Sequence, residues 1–219
     1  MIFLLQRRKS SSLLVFCLLL CLLGACSTAR KEAAAIKNPQ SYMAGADGGL
    51  VYNATFRYKD FQASGLLVAK RVQPSEYHVV LLSKFGVSLM EFKLNEGGIQ
   101  WIKTFEQLGK KRVEKMLERD FRVLLLTGLD NPGKLKLQKQ EGGELTYKVK
   151  SDPGLRLRAE AETGRVLYAE NRGFINPVKT KVSFLYKEDG DIPEEISLKH
   201  SNVAMRLDLN LLKVINAER

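Results

Sequence analysis

The stretch Val51-Tyr52-Asn53-Ala54-Thr55-Phe56-Arg57-Tyr58 alternates apolar and polar side chains almost residue by residue. Successive side chains of a β-strand point to opposite faces, so a period of two sorts Tyr52, Ala54 and Phe56 onto one face and Asn53, Thr55 and Arg57 onto the other. Comparable runs follow at Phe61 to Arg71, Glu76 to Lys84, Val87 to Leu94 and Ile99 to Thr104. Turn chemistry separates them, at Gln73-Pro74-Ser75, Phe85-Gly86 and Asn95-Glu96-Gly97-Gly98. Connections this short join antiparallel neighbours, and the segment reads as a meander.

The period then changes. Between Phe105 and Gly128 apolar residues recur at Val113, Met116, Leu117, Phe121, Leu124 and Leu125, while Lys110, Lys111, Glu114, Lys115, Glu118 and Arg122 fall between them. That spacing predicts an amphipathic helix supported by Glu118 and Arg122 at i,i+4. Gly128 is the expected stop, with Pro132 beyond it. Alternation resumes at Leu135 to Leu137, Leu145 to Val149, Leu155 to Ala161, Val166 to Glu170, Val178 to Lys187, Glu195 to His200 and Val203 to Leu211. The fold class is therefore mainly β with one main α-helix. A long antiparallel sheet must curl to hide its apolar face, and a helix laid in the concavity is the economical cover.

The first segment carries Arg7, Arg8 and Lys9 without an acid and leads into an apolar run from Leu13 to Leu23, the order of a secretory signal. The run falls short of the about 20 apolar residues that a membrane span needs. Leu23-Gly24-Ala25-Cys26 places small residues directly before a cysteine and resembles a lipobox. The expectation is that residues 1–25 are removed and that Cys26 carries a covalent diacylglycerol and an N-acyl group. Several acyl chains, at about 0.8 kcal/mol per buried methylene, anchor a protein firmly to a bilayer. By resemblance to Gram-negative lipoproteins, Ser27 after the cysteine directs the chain to the periplasmic face of the outer membrane. Residues 26–47 read as the lipidated N-terminus and a flexible tether, with Ile36, Tyr42 and Met43 their only larger apolar side chains, and residues 48–219 as the folded domain.

Composition closes several function classes. Removing the first 25 residues takes three basic residues and no acid from a net charge of +11, leaving +8. Such a surface favours anionic lipid as a neighbour, and export argues against nucleic acid. Cys17 and Cys21 go with the signal and Cys26 is esterified, so neither a disulfide nor a thiolate site is expected. His78 and His200 each sit in an alternating segment, without metal-ligand spacing or a nucleophile elbow. Gly97-Gly98 and Gly142-Gly143 lie between alternating runs, where hairpins account for them. No metal, cofactor or catalytic centre is expected.

Two segments carry a family resemblance. Tyr77-His78-Val79-Val80-Leu81-Leu82-Ser83-Lys84-Phe85-Gly86-Val87-Ser88-Leu89-Met90-Glu91-Phe92-Lys93-Leu94-Asn95 resembles the strand, tight loop and strand of the LolB-like outer-membrane lipoproteins of the LolA/LolB carrier superfamily. Ile192-Pro193-Glu194-Glu195-Ile196-Ser197-Leu198-Lys199-His200, followed by Val203 to Asn210, resembles the closing hairpin of that family. The resemblance implies an incomplete β-barrel covered by a helical lid, whose apolar cavity holds the acyl chains of a lipoprotein received from a LolA-type periplasmic carrier. It also implies that Phe85, with Gly86, forms a loop that enters outer-membrane lipid. Family members break the helical region with a proline, whereas Leu108 to Leu126 runs on without one.

The leading expectation is thus a monomeric, non-enzymatic acceptor of acylated lipoproteins. Alternation points to Phe56, Val80, Leu82, Phe92, Trp101, Met116, Leu117, Phe121 and Leu124 as lining of the acyl cavity. A second possibility is a structural or accessory lipoprotein whose barrel is filled by its own side chains and which binds envelope proteins or lipids without transfer. A hydrolase would have only Ser83 or Ser88 with His78 to draw on.

Overall fold

The alternation at Val51–Tyr58 forms an interior strand of a twelve-stranded antiparallel sheet in a computed structural model that describes residues 37–216 except 47, 105–109, 128, 130, 131, 153 and 173–177. The chain divides into two units, Met1–Ala35 and Ile36–Arg219. The first, with Cys26, lies outside the described residues, as does Gly128.

Strands β1 (Gly49–Tyr58), β2 (Phe61–Gln73), β3 (Glu76–Ser83), β4 (Ser88–Asn95) and β5 (Gly98–Lys103) form the expected meander. Helix α1 (Lys111–Leu124) follows. Then come β6 (Leu135–Glu141), β7 (Glu144–Val149), β8 (Leu155–Glu160), β9 (Val166–Arg172), β10 (Val178–Tyr186), β11 (Pro193–His200) and β12 (Met205–Ile215). Pro193 sits at the first position of its strand, where the missing N–H disrupts no interior ladder.

Spatial order follows chain order as though the meander were circular: β5-β4-β3-β2-β1-β12-β11-β10-β9-β8-β7-β6. The first and last strands pair in the middle of the sheet, from Gly49 opposite Ile215 to Tyr58 opposite Met205. Among the described residues β5 and β6 are its two edges, and the connection between them is the one that carries α1. Edge β6 is exposed nearly throughout and presents Lys136 and Lys139, charges that discourage pairing with another sheet.

The buried face is built from alternate residues of the strands between those edges, such as Leu50, Tyr52, Ala54 and Phe56 on β1 and Val182 and Phe184 on β10. These join the buried stripe of α1 in one continuous cluster. Burying a Leu, Val or Phe contributes about 1.5–3 kcal/mol, so the helix is seated mainly by that stripe.

Two expectations are corrected. The last part of the tether is packed: Ser41 caps a 3-10 turn at Tyr42–Gly45, and Tyr42, Met43 and Ala46 are buried in the core. Tyr42 and Met43 are large enough to repay ordering of this short segment, which the low apolar content around them concealed. The helix also ends earlier than Gly128. Leu126 adopts φ +53, and Thr127 N and Leu126 N donate to Arg122 O and Val123 O, the bond pair of a Schellman cap. A left-handed leucine costs roughly 1–2 kcal/mol, which complete burial of its side chain offsets.

Candidate functional site

Helix α1 covers the concave face of the sheet. Val113, Leu117, Asp120, Phe121, Val123 and Leu124 are buried beneath it, while Lys111, Arg112, Lys115 and Arg119 are exposed. Phe121 meets Phe92 of β4 edge-on with ring centroids 4.6 Å apart, and Phe92 meets Trp101 of β5 at 5.1 Å. Tyr42 packs against Phe184 of β10 at 5.7 Å. Aromatic side chains from the lid, the sheet and the N-terminal segment therefore fill the space that a guest would occupy.

Polar ties hold the helix unequally along its length. Tyr42 Oη donates to Leu124 O at 3.0 Å and Ser41 Oγ to Leu125 O at 3.2 Å, satisfying carbonyls that a helix C-terminus leaves without intrahelical partners. Arg122 Nη2 donates to Asn95 O in the β4–β5 turn at 2.8 Å and to Glu118 Oε1 at 3.1 Å. Deeper, Thr180 Oγ1 of β10 donates to Asp120 Oδ1. Burial pushes the Asp120 carboxyl up to about 7, against the opposing effects of Thr180 and Arg119. The side chains from Lys110 to Lys115 make no hydrogen bond or ion pair to the sheet among the described residues; apolar contacts seat that half.

The expected lining residues divide three ways. Phe56, Phe92, Leu117, Phe121 and Leu124 are fully buried in the covered face, and Trp101 and Met116 pack partly buried against it. Val80 and Leu82 do not belong there. On β3 the side chains that face the core are Tyr77, Val79 and Leu81, so Val80 and Leu82 point to the outer face and are half-buried. That outer face is itself apolar at this point, because Val51, Val68 and Val80 lie in one cross-strand row and Leu66 pairs with Leu82. A nearly unbroken apolar run from Val79 to Leu82 gives no alternation to choose a face, and a one-residue slip inverts every assignment.

Phe85 stands at the tip of the β3–β4 loop with 93% of its surface exposed, beside the half-exposed Val87. Gly86 takes φ +77, a conformation that L side chains avoid. Ser83 Oγ accepts from Phe85 N at 3.2 Å and Val87 N at 3.1 Å, which stiffens the loop. Gly65 is required where β2 meets β3, since a Cβ there would come within 1.7 Å of Leu82 O.

The hydrolase candidates Ser83, Ser88 and His78 are not brought together. His78 Nε2 lies 3.0 Å from Glu91 Oε1, whereas Ser83 is five residues further along the same strand, about 16 Å at the rise of an extended chain. Ser88 pairs with Leu82, four residues from His78, and is also out of reach. Sequence reasoning missed Ser41 and Tyr42 as partners of α1, and Asp120 with Thr180. Asp120 did carry a signal: it falls on the stripe of Val113, Leu117 and Leu124, where a charge is out of place.

Among the described residues no helix is long and apolar enough to cross a membrane. No protein-family model matches the chain, and no curated protein does. Among solved structures it is similar to a putative outer membrane lipoprotein-sorting protein domain from Vibrio parahaemolyticus, at 10% identity and TM-score 0.48, over 80% of this chain and 86% of that one. It is also similar to a LolA superfamily protein from Nitrosomonas europaea, at 11% identity and TM-score 0.47, over 81% and 92% of the two chains. A DUF1329 family protein from Desulfovibrio piger gives 9% identity and TM-score 0.43, over 78% and 86%.

Proposed function

We propose that this chain is a lipid-anchored envelope protein that accepts acyl groups beneath helix α1, in the manner of a LolB-like acceptor, and that the structure is its closed state. The observation that carries the reading is the cover itself. One amphipathic helix lies on the apolar concave face of a sheet left open between β5 and β6, tied by polar bonds from Glu118 onward and, among the described residues, seated by apolar contacts before that. Such a cover can part from the sheet at one end without breaking a backbone ladder. An acyl chain left in water forgoes about 0.8 kcal/mol per methylene, so the task needs an apolar face and a movable cover and no catalytic group.

Cys26 would supply the anchor, with its diacylglycerol and N-acyl group, at the periplasmic face of the outer membrane. Lipoprotein cargo and a LolA-type carrier as donor come from the resemblance of Tyr77–Asn95 and Ile192–Asn210 to the LolB-like family. Phe85 is suited by its exposure to enter the bilayer during delivery.

A second reading draws on a specific observation: the Phe92–Phe121 and Tyr42–Phe184 contacts fill the covered face, as expected of an accessory lipoprotein with an ordinary core. One experiment separates the two. The purified chain is mixed with a LolA-type carrier loaded with acylated lipoprotein, and cargo is followed from one protein to the other. Transfer that stops when α1 is cross-linked to β10 supports the acceptor role. Absence of both transfer and bound acyl chain would leave the accessory role.

A further inference from the structure

The half of α1 that lacks polar ties borders a groove of about 620 Å³, walled on its other side by the start of β10, the end of β11 and the β11–β12 turn. Its floor is apolar, formed by Val113, Met116, Val203 and the ring of Tyr58. Its rim is cationic: Arg112, Lys115 and Arg119 from the helix face Lys179 of β10 and His200 of β11. None of these four long cations makes an ion pair among the described residues, although several cations elsewhere on the surface do. Among the described residues no Asp or Glu lines the groove. Asn202 N donates to His200 Nδ1 at 3.3 Å, and the imidazole is held below its ordinary range first by burial, then by Arg119 and Lys179. Three independent features therefore coincide: converging uncompensated positive charge, a greasy floor, and a position where the cover of the core is held least.

We propose that this groove is the entrance to the covered face and a binding site for an acylated lipid with a phosphate headgroup of net negative charge, which is held by Arg119, Lys179 and Lys115 while its chain lies on Met116 and Val113. The assignment rests on the acyl-acceptor reading for what lies beyond the groove, but the site is defined by its own geometry. A free phosphate would meet the rim and leave the floor wet; a neutral lipid would use the floor and leave the cations unpaired. An anionic amphiphile satisfies both, which is the charge complementarity that selects it. Bound phosphate would also oppose the field of Arg119 and Lys179 at His200 and return its titration toward the ordinary range.

The test titrates the full chain with dihexanoyl phosphatidylglycerol, dihexanoyl phosphatidylcholine and inorganic phosphate, following the His200 ring resonances and the emission of Trp101, the one tryptophan in the chain. Phosphatidylglycerol should bind at least tenfold tighter than either comparison compound and raise the His200 titration midpoint, because each charged hydrogen bond is worth about a factor of ten or more. Arg119→Gln with Lys179→Gln should abolish that preference while leaving phosphatidylcholine binding unchanged. Equal binding of the two lipids, or a His200 resonance indifferent to phosphatidylglycerol, would overturn the site. Trp101 reports separately on entry beneath the helix: a His200 response without a Trp101 response upholds the groove and overturns the acyl-acceptor reading. A Trp101 response alike for both lipids, with His200 silent, does the reverse.

Discussion

Thr180 Oγ1 on β10 donates a hydrogen bond to Asp120 Oδ1 on α1, and both side chains are buried between helix and sheet. Asp120 Oδ2 has no hydrogen-bond partner among the described residues. An ionised carboxylate is poorly accommodated there, which is the physical cause of its raised pKa.

The consequence is a pH dependence with a definite sign. Folded, the group titrates at about 7; unfolded, near the ordinary value of about 3.9. Between those values the folded state holds a proton that the unfolded state has released, so stability falls as pH rises through the window and levels off above it. Asp120→Asn keeps an acceptor for Thr180 without the charge. Its stability should exceed that of the parent at about pH 8 by something on the order of 1–3 kcal/mol, with the gain shrinking toward pH 4. Urea denaturation across that range checks this, and a difference independent of pH would contradict it.

Tyr42 and Ser41 close the far end of the same helix. Tyr42→Phe retains the packing on Phe184 but leaves Leu124 O without its side-chain donor. A buried acceptor deprived of its partner costs about 1–3 kcal/mol, and thermal unfolding should move down by several degrees. Amide exchange at Leu125 to Thr127 should quicken more than exchange in β2 or β3. Uniform acceleration throughout the chain would mean that the segment supports the fold at large and not the helix end.

What the sequence made legible was whatever a strict period encodes. All twelve strands lie where alternation places them, and the ten between the edges β5 and β6 each present one face to a single core. The period fails where both faces are apolar, which is why alternation places Val80 and Leu82 on the wrong one. The packed segment around Tyr42 and Met43 escaped because two large side chains among small and polar ones look like a tether, while their partners, Leu124 and Phe184, lie 82 and 142 positions away. The basic groove was equally hidden. Arg112, Lys115 and Arg119 read locally as the solvated face of a helix, and only the circular strand order brings Lys179 and His200 beside them.

Arg122 offers a test of the cover. Its guanidinium ties α1 to the β4–β5 turn through Asn95 O and is steadied by Glu118. Arg122→Ala should cost about 1–2 kcal/mol of stability and selectively raise exchange along α1. If α1 is a separable cover, the variant should also take up a fluorescent fatty acid faster than the parent, with little change in the final amount bound. A loss of stability spread evenly over the sheet, with uptake unchanged, would refute that role.

Phe85 tests the outer loop. Its ring has almost no protein neighbour to lose, so Phe85→Glu and Phe85→Ser should leave stability within about 0.5 kcal/mol of the parent. Association with vesicles of phosphatidylethanolamine and phosphatidylglycerol should fall, by roughly ten- to a hundredfold if the ring is fully inserted, since burying a Phe side chain contributes about 1.5–3 kcal/mol. The comparison is best made in a Cys26→Ala background, which removes any contribution from acyl chains at that position. Serine separates the two ways of weakening binding. It lacks the ring but carries no charge, so a wedge predicts that both variants fail. If only the glutamate variant is impaired, repulsion from the anionic lipid explains the effect and the ring does not enter the bilayer.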